Sequence, residues 1–253
     1  MVTDVIDLRD FYETSLGQVA CRLIRRRVRE FWPDVRGLRV LGLGYATPYL
    51  RPFRGEAERV LAVMPASQGV LHWPPDGPGL VALADEAELP FADNAIDRML
   101  LVHTLESTEQ VRAMLREVWR VLAGNGRLLV VAPNRRGLWA RLDRSPFGHG
   151  HPFTPSQLSR LLRDNMFTPV GFAAALYMPP TSSRVMLTAA AAWERIGDRM
   201  FQTFAGVVLV EAAKQVYAAT PAKEVRRRPL FVPITQTPAR ARAADRGRTF
   251  SVS

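Results

Sequence analysis

Residues 39–50 read RVLGLGYATPYL, a run that opens as a strand and then turns. Arg39-Val40-Leu41 leads into Gly42 and Gly44, one residue apart, followed by Tyr45, Ala46, Thr47 and Pro48. Many nucleotide-binding domains begin with a strand running into a glycine-bearing turn, because glycine lets the backbone turn tightly and approach a ligand. Such loops usually continue with more glycine, whereas this one continues with bulk and a proline, which removes a backbone donor. Three readings follow: a remodelled but working cofactor loop, the loop of a protein that kept the fold and lost catalysis, or an ordinary turn in a nucleotide-free Rossmann-like domain.

Outward from this stretch, strands and helices alternate. Apolar runs at 38–43, 59–64, 80–84, 96–102, 127–132, 170–177 and 206–212 read as strands, and the fifth is almost wholly apolar, as a strand buried on both faces should be. Helical spacing marks 8–31, 108–122, 154–165 (capped by Thr154) and 184–201, and Pro33 ends the first of these. Alternation of this kind predicts βαβ units and a largely parallel sheet with helices on both faces. In the first helix Arg22, Arg25, Arg26 and Arg29 line the side opposite the apolar residues, a solvated face or an anion- or membrane-binding one.

The chain has 253 residues and a net charge of +10, unevenly placed. Beyond Pro221, eight Lys and Arg stand against two acids, so over half of the excess lies in residues 222–253. That segment is rich in proline and arginine around an apolar island at 230–234 and reads as a flexible basic tail. It is either a solubilising extension or a hook for a protein partner, with nucleic acid or anionic membrane less favoured. The single cysteine, Cys21, excludes an intrachain disulfide framework. The first residues carry acids and lack the apolar core of a signal peptide, and the apolar runs near 186–193 and 204–210 are too short to span a bilayer. A cytoplasmic protein is expected.

The segment DEAELPFADNAID (85–97) resembles class I S-adenosylmethionine-dependent methyltransferases of the subgroup with an LPF-x-D-x-x-F-D segment. LREVWRVLAGNGRLLVVAPN (115–134) resembles that family's fourth helix, turn and fifth strand, and HPFTPSQLSRLLRDNMFTPV (151–170) its next helix leading to strand six. The resemblance covers roughly 35–215. It implies an α/β, Rossmann-like seven-stranded, mostly parallel sheet with the last strand antiparallel. It also implies methyl transfer from S-adenosylmethionine, with S-adenosylhomocysteine as product, to an acceptor it does not name. The alternative is a catalytically inactive relative that binds or regulates a protein.

The same resemblance assigns the site. Asp85, with Glu86, lies near the adenine, and Asp97 is the acid opening the fourth strand. Gly42 stands where the family carries an acid, Gly44 keeps the first glycine of the loop, and Tyr45 follows it. Ala46 and Pro48 replace the later glycines, and Met64 occupies the place of the ribose-binding acid. Losing a charged acceptor costs about ten- to hundredfold in affinity unless another group compensates; Gln68, Thr47 and His72 are candidates. Methyl transfer from a sulfonium is mainly a matter of alignment, so no triad is needed. His103, after strand four, is the candidate base as well as a cofactor neighbour; alternatively it caps the following helix. Glu106 can orient it. A substrate rim is expected from Asn134, Arg135 and Trp139, and from His149 and His151 in SPFGHGHPFT (145–154), a candidate lid. No metal is expected, although the His-x-His of that run is the alternative reading. Trp73 either packs over the adenine side or sits at the core edge. The expected organisation is an N-terminal amphipathic helix at 1–34 packed on the core, a methyltransferase-like domain at 35–221 and the tail at 222–253.

Overall fold

A computed structural model describes residues 4–142, 145–200 and 202–216. The tail expected at 222–253 lies outside the described residues.

The chain begins with two helices, α1 (Val5–Glu13) and α2 (Ser15–Phe31). The single helix expected over 8–31 is therefore broken, and Thr14 is the reason. Its extended backbone (φ −67°, ψ 157°) ends α1, while its hydroxyl accepts from Gly17 N and caps α2. Asp4 caps α1 in the same way, accepting from Ile6 N. The bend brings the helices so close that a Cβ on Gly17 would collide with the Phe11 carbonyl.

There follow β1 (Arg39–Gly44), the short α3 (Thr47–Leu50), β2 (Arg59–Pro65), β3 (Val81–Ala84), β4 (Ile96–Val102), α4 (Val111–Val121) and β5 (Leu122–Pro133). Then come α5 (Pro155–Asp164), β6 (Phe167–Ala175), α6 (Arg184–Thr188), α7 (Ala190–Met200) and β7 (Val207–Lys214). The helix expected over 184–201 is thus interrupted at Ala189. Thr154 and Gln157 form a reciprocal capping box at the start of α5.

The sheet has seven strands in the order β3-β2-β1-β4-β5-β7-β6. β1 lies parallel to β2 and β4, and β4 parallel to β5. β7 runs antiparallel to both β5 and β6, as the resemblance implies. Pro169 is tolerated because β6 is an edge strand. β1 reverses the strand order at the centre, so the carboxyl ends of β1 and β4 flank the crevice where open α/β sheets bind ligands.

Each face of the sheet has its own core. One packs β-strand residues such as Leu41, Leu101 and Val130 against Leu115 and Val118 of α4 and Leu158 and Leu162 of α5. The other packs Val40, Leu100 and Leu129 against α1, α2 and α3 and is rich in aromatic rings, including Trp32, Tyr49, Phe53, Trp139 and Phe147. Among the described residues, no helix is long and apolar enough to cross a membrane.

Candidate functional site

At the end of β1, Gly44 has φ +83°, and a Cβ there would collide with Thr104 Oγ1 and the Val102 carbonyl. Tyr45 N donates to Val102 O (3.0 Å) and Thr104 Oγ1 to Leu43 O (3.0 Å). A Cβ on Gly42 would fall 2.6 Å from both Ala46 Cβ and Leu50 Cδ1. Both glycines are thus demanded by close approach of the protein's own chain, with β4's end against β1 and α3 against the strand.

α1 lies across these strand ends. Val5 N donates to Gln68 O just beyond β2 (2.9 Å), and Val5, Leu8, Phe11 and Tyr12 are buried. Tyr12 stacks on Tyr45 (centroids 5.5 Å apart, planes at 21°) and meets Tyr49 and His103 edge-on. Its hydroxyl is 2.6 Å from Tyr49 Oη and 2.8 Å from His103 Nε2, and His103 Nδ1 is 3.1 Å from Glu106 Oε1. With a neutral imidazole these contacts run one way: Tyr49 donates to Tyr12, Tyr12 to Nε2, and Nδ1–H to the Glu106 carboxylate. Burial holds the Tyr12 and Tyr49 phenols well above their ordinary pKa and pushes Tyr45 up to about 12, so all three are neutral hydroxyls near neutral pH.

His103 itself is 2% exposed and has φ +54°, a left-handed conformation that costs a non-glycine residue about 1–2 kcal/mol. Gln68 Nε2 donates to its carbonyl. Two buried acceptors in this group have no donor: Gln68 Oε1 and Glu106 Oε2. Buried oxygens of this kind are rare and mark a place where a partner belongs.

The remaining residues singled out from the sequence are scattered. Tyr45, Ala46 and Met64 are buried, and Met64 Sδ accepts from Leu71 N (3.4 Å). Asp85 is exposed and accepts from Ala87 N in its own turn (2.8 Å), while Glu86 Oε1 accepts from Thr108 Oγ1 (2.9 Å). Asn134 is 1% exposed and ties the end of β5 to the Thr203 and Ala205 carbonyls. Trp139 is equally buried and donates to Met178 O (2.7 Å). These two serve as internal struts, and neither sits on an open rim. Arg135 and His151 are exposed, His149 is half-buried, and His151 N donates to Glu106 O (2.8 Å). The run 145–154 reaches the site through Phe147, whose ring lies 4.8 Å from that of His103 and 5.7 Å from Trp139. Trp73 is buried within the loop after β2, with the Arg54 guanidinium 5.6 Å above its ring. Among the described residues, no group of three or more His, Cys, Asp or Glu is placed to hold a metal ion.

Sequence reasoning missed α1 as a component of the site. Its signal was present in Phe11 and Tyr12, aromatic residues on the apolar face of a helix that has no need of a hydroxyl there. Also missed was a pocket of about 590 Å³ beside Tyr12 and Tyr45, lined by α1, α2, α3 and the loop after β2.

Comparison with known proteins matches residues 41–130 to a family model described as a methyltransferase domain. A demethylmenaquinone methyltransferase from Corynebacterium efficiens is 32% identical over 130 residues, covering 51% of this chain and 56% of the relative. The chain spans about half the length of the curated relatives it matches. A SAM-dependent methyltransferase from Thermotoga maritima superposes with a TM-score of 0.58 at 16% identity, covering 83% of this chain and 96% of the other. The methyltransferase solved with the Trm112 activator of Haloferax volcanii gives a TM-score of 0.60 at 14% identity, covering 85% and 100%. At these identities the structural likeness establishes the fold.

Proposed function

We propose, from the premise that this chain carries a class I methyltransferase domain, that it transfers a methyl group from S-adenosylmethionine to an acceptor. The observation that carries this reading is the pair of donorless buried oxygens, Gln68 Oε1 and Glu106 Oε2, at the ends of the strands that the domain match contains. The cofactor's ribose hydroxyls and ammonium are donors, so the residues present fit it, with Gln68 standing in for the acid that Met64 does not supply. When bound, the cofactor supplies a methyl group already activated on a sulfonium.

The chain's residues do the rest. Gln68 and Glu106 hold hydroxyl or ammonium groups beneath α1. Phe147, packed on the His103 ring, excludes water. α1 lifts to admit the ligand, because Tyr12 now closes the crevice against Tyr45 and His103. Once Tyr12 withdraws, His103 Nε2 is free to take a proton from an acceptor, with Glu106 keeping Nδ1–H in place. The acceptor rim is Arg135, His149 and His151, and Asp85 and Glu86 border the adenine side. The protein acts in the cytoplasm, a reading supported by its single free cysteine.

A second reading, a non-catalytic relative that binds a protein partner, draws on the same closure of the crevice and on Gly42 and Met64 standing where acids would be. Calorimetry with S-adenosylmethionine and S-adenosylhomocysteine separates the two. Binding at micromolar levels, weakened about tenfold or more by Gln68→Leu, is expected. Absence of binding both to the wild type and to a Tyr12→Phe variant with a loosened α1 would favour the non-catalytic reading.

A further inference from the structure

We infer that the pocket between α1, α2, α3 and the loop after β2 is a binding site for a small polyanion of the diphosphate class, adjoining the crevice at the strand ends, with Tyr12 and Tyr45 as the wall between them. It has a volume of about 590 Å³, and five arginines line it: Arg9, Arg22, Arg25, Arg51 and Arg54. Against them stand two carboxylates, Glu13 and Asp76. Only Arg9 has an acidic partner, Asp10 at 2.8 Å with Glu13 at 4.0 Å. Among the described residues, Arg22, Arg25, Arg51 and Arg54 make no ion pair.

The rest of α2 provides an internal control. Arg26 and Arg27 pair with Glu30, Arg27 also with Asp198, and Arg29 grips Glu56 through two bonds of 2.7 and 2.8 Å. On one helix, then, arginines facing away from the pocket have carboxylates and those facing it do not. Arg25 adds a second, independent sign. Its Nη2 is fixed by Pro48 O (2.6 Å) and Cys21 Sγ (3.3 Å), while its buried Nε has no acceptor. A guanidinium held in place with an unused N–H is prepared for an anion's oxygen. Arg54 is likewise held, over the Trp73 ring.

Like charges gathered in one concavity repel, and bringing in a multiply charged anion relieves several repulsions at once. The same field disfavours a sulfonium ligand. Of the residues assigned to the cofactor, Tyr45 lines this pocket, with Thr47 and Trp73 beside it, while Met64, Asp85, Glu86 and His103 do not. Arginine's planar fork also suits phosphate oxygens better than a point charge does.

The test is titration calorimetry of the full-length protein with sodium pyrophosphate at low ionic strength. One site is expected, with affinity that falls as salt rises. The double variant Arg51→Gln/Arg54→Gln, at two exposed positions, should weaken binding about ten- to hundredfold. Arg25→Gln should weaken it similarly, and Arg29→Gln, whose native partner is Glu56, should leave it nearly unchanged. Failure of the wild type to bind pyrophosphate would overturn the inference. So would wild-type affinity in the double variant, which would assign binding to arginines elsewhere, or an equal loss in Arg29→Gln, which would reduce it to general surface charge.

Discussion

On one face of the sheet, α4 and α5 close over the strands with leucine, valine and methionine, and Leu115, Val118, Leu128 and Leu158 have no solvent exposure. On the other face, α1, α2 and α3 bring Phe11, Tyr12 and Tyr49 into a cover that also holds the rings of Trp32, Trp139, Phe147 and His103. Among the described residues, the buried side-chain polar atoms that lack a partner are Arg25 Nε, Gln68 Oε1, Glu106 Oε2 and Ser145 Oγ, of which Gln68 and Glu106 bond to His103 at the strand ends this side covers. An aliphatic core can be closed by burial alone. Rings with hydroxyls, amides and carboxylates among them must also satisfy hydrogen bonds, and those left open mark where ligands complete the structure. The contrast separates a face that supports the fold from the face proposed to bind.

The largest effect should come from the supporting face. Leu115→Ala removes a fully buried side chain and should destabilise the protein by about 2–5 kcal/mol in denaturant unfolding. S-adenosylhomocysteine affinity of the folded variant should not change. A loss of affinity matching the loss of stability would erase the distinction between the faces.

A smaller effect is expected at Tyr12. Tyr12→Phe keeps the ring packing but strips the partner from Tyr49 Oη and His103 Nε2, at a cost of about 1–3 kcal/mol. Because it weakens the hold of α1 on the crevice, it should bind S-adenosylhomocysteine faster and at least as tightly as the wild type. An unchanged melting temperature would show that these hydrogen bonds do not hold α1 down.

The smallest effect lies at the amino end of β4, away from both sites. Asp97 accepts from Arg39 Nε and from Arg39 N, both at 2.9 Å. Burial pushes its pKa up, and the bonds from Arg39 more than offset that, so the folded value is lowered. A carboxylate with a lowered folded pKa contributes stability that is present above its unfolded value, near 4, and is lost as pH falls through the folded value. With Arg39 partly exposed, the contribution is about 1 kcal/mol or less. Arg39→Gln should reduce the fall in melting temperature on acidification below about pH 4 without moving ligand affinity. A wild-type acid profile in that variant would remove the pair from the account.

The supporting face was legible in the sequence because its physics is local and repetitive. Apolar strands, the spacing of Val111, Leu115 and Val118, and the Thr154 cap marked the strands and helices to within a few residues. The binding face was legible only in part. Gln68 was a candidate among three, and the structure distinguishes it by a donorless oxygen. Thr14 was not recognised as both the end of one helix and the start of another, because an unbroken apolar periodicity concealed the cap. Gly42 and Gly44 were recognised as demanding close approach, yet what approaches them is Ala46, Leu50, Thr104 and the Val102 carbonyl. The five arginines of α2 carry no distinguishing mark in sequence, and only their differing access to Glu30, Glu56 and Asp198 sets Arg22 and Arg25 apart.

The alternation of strands and helices and the largely parallel sheet follow from patterns that persist over tens of residues, since burial period and right-handed crossover leave few alternatives. Which groups meet at the strand ends does not follow from such patterns. Tyr12 and His103 are 91 residues apart, Arg25 and Pro48 are 23 apart, and Gln68 meets His103 across 35. Contacts of that separation depend on how α1 and α2 settle on the sheet, and that placement is set by the packing of Tyr12, Tyr45, Tyr49 and Phe147 rather than by any propensity along the chain.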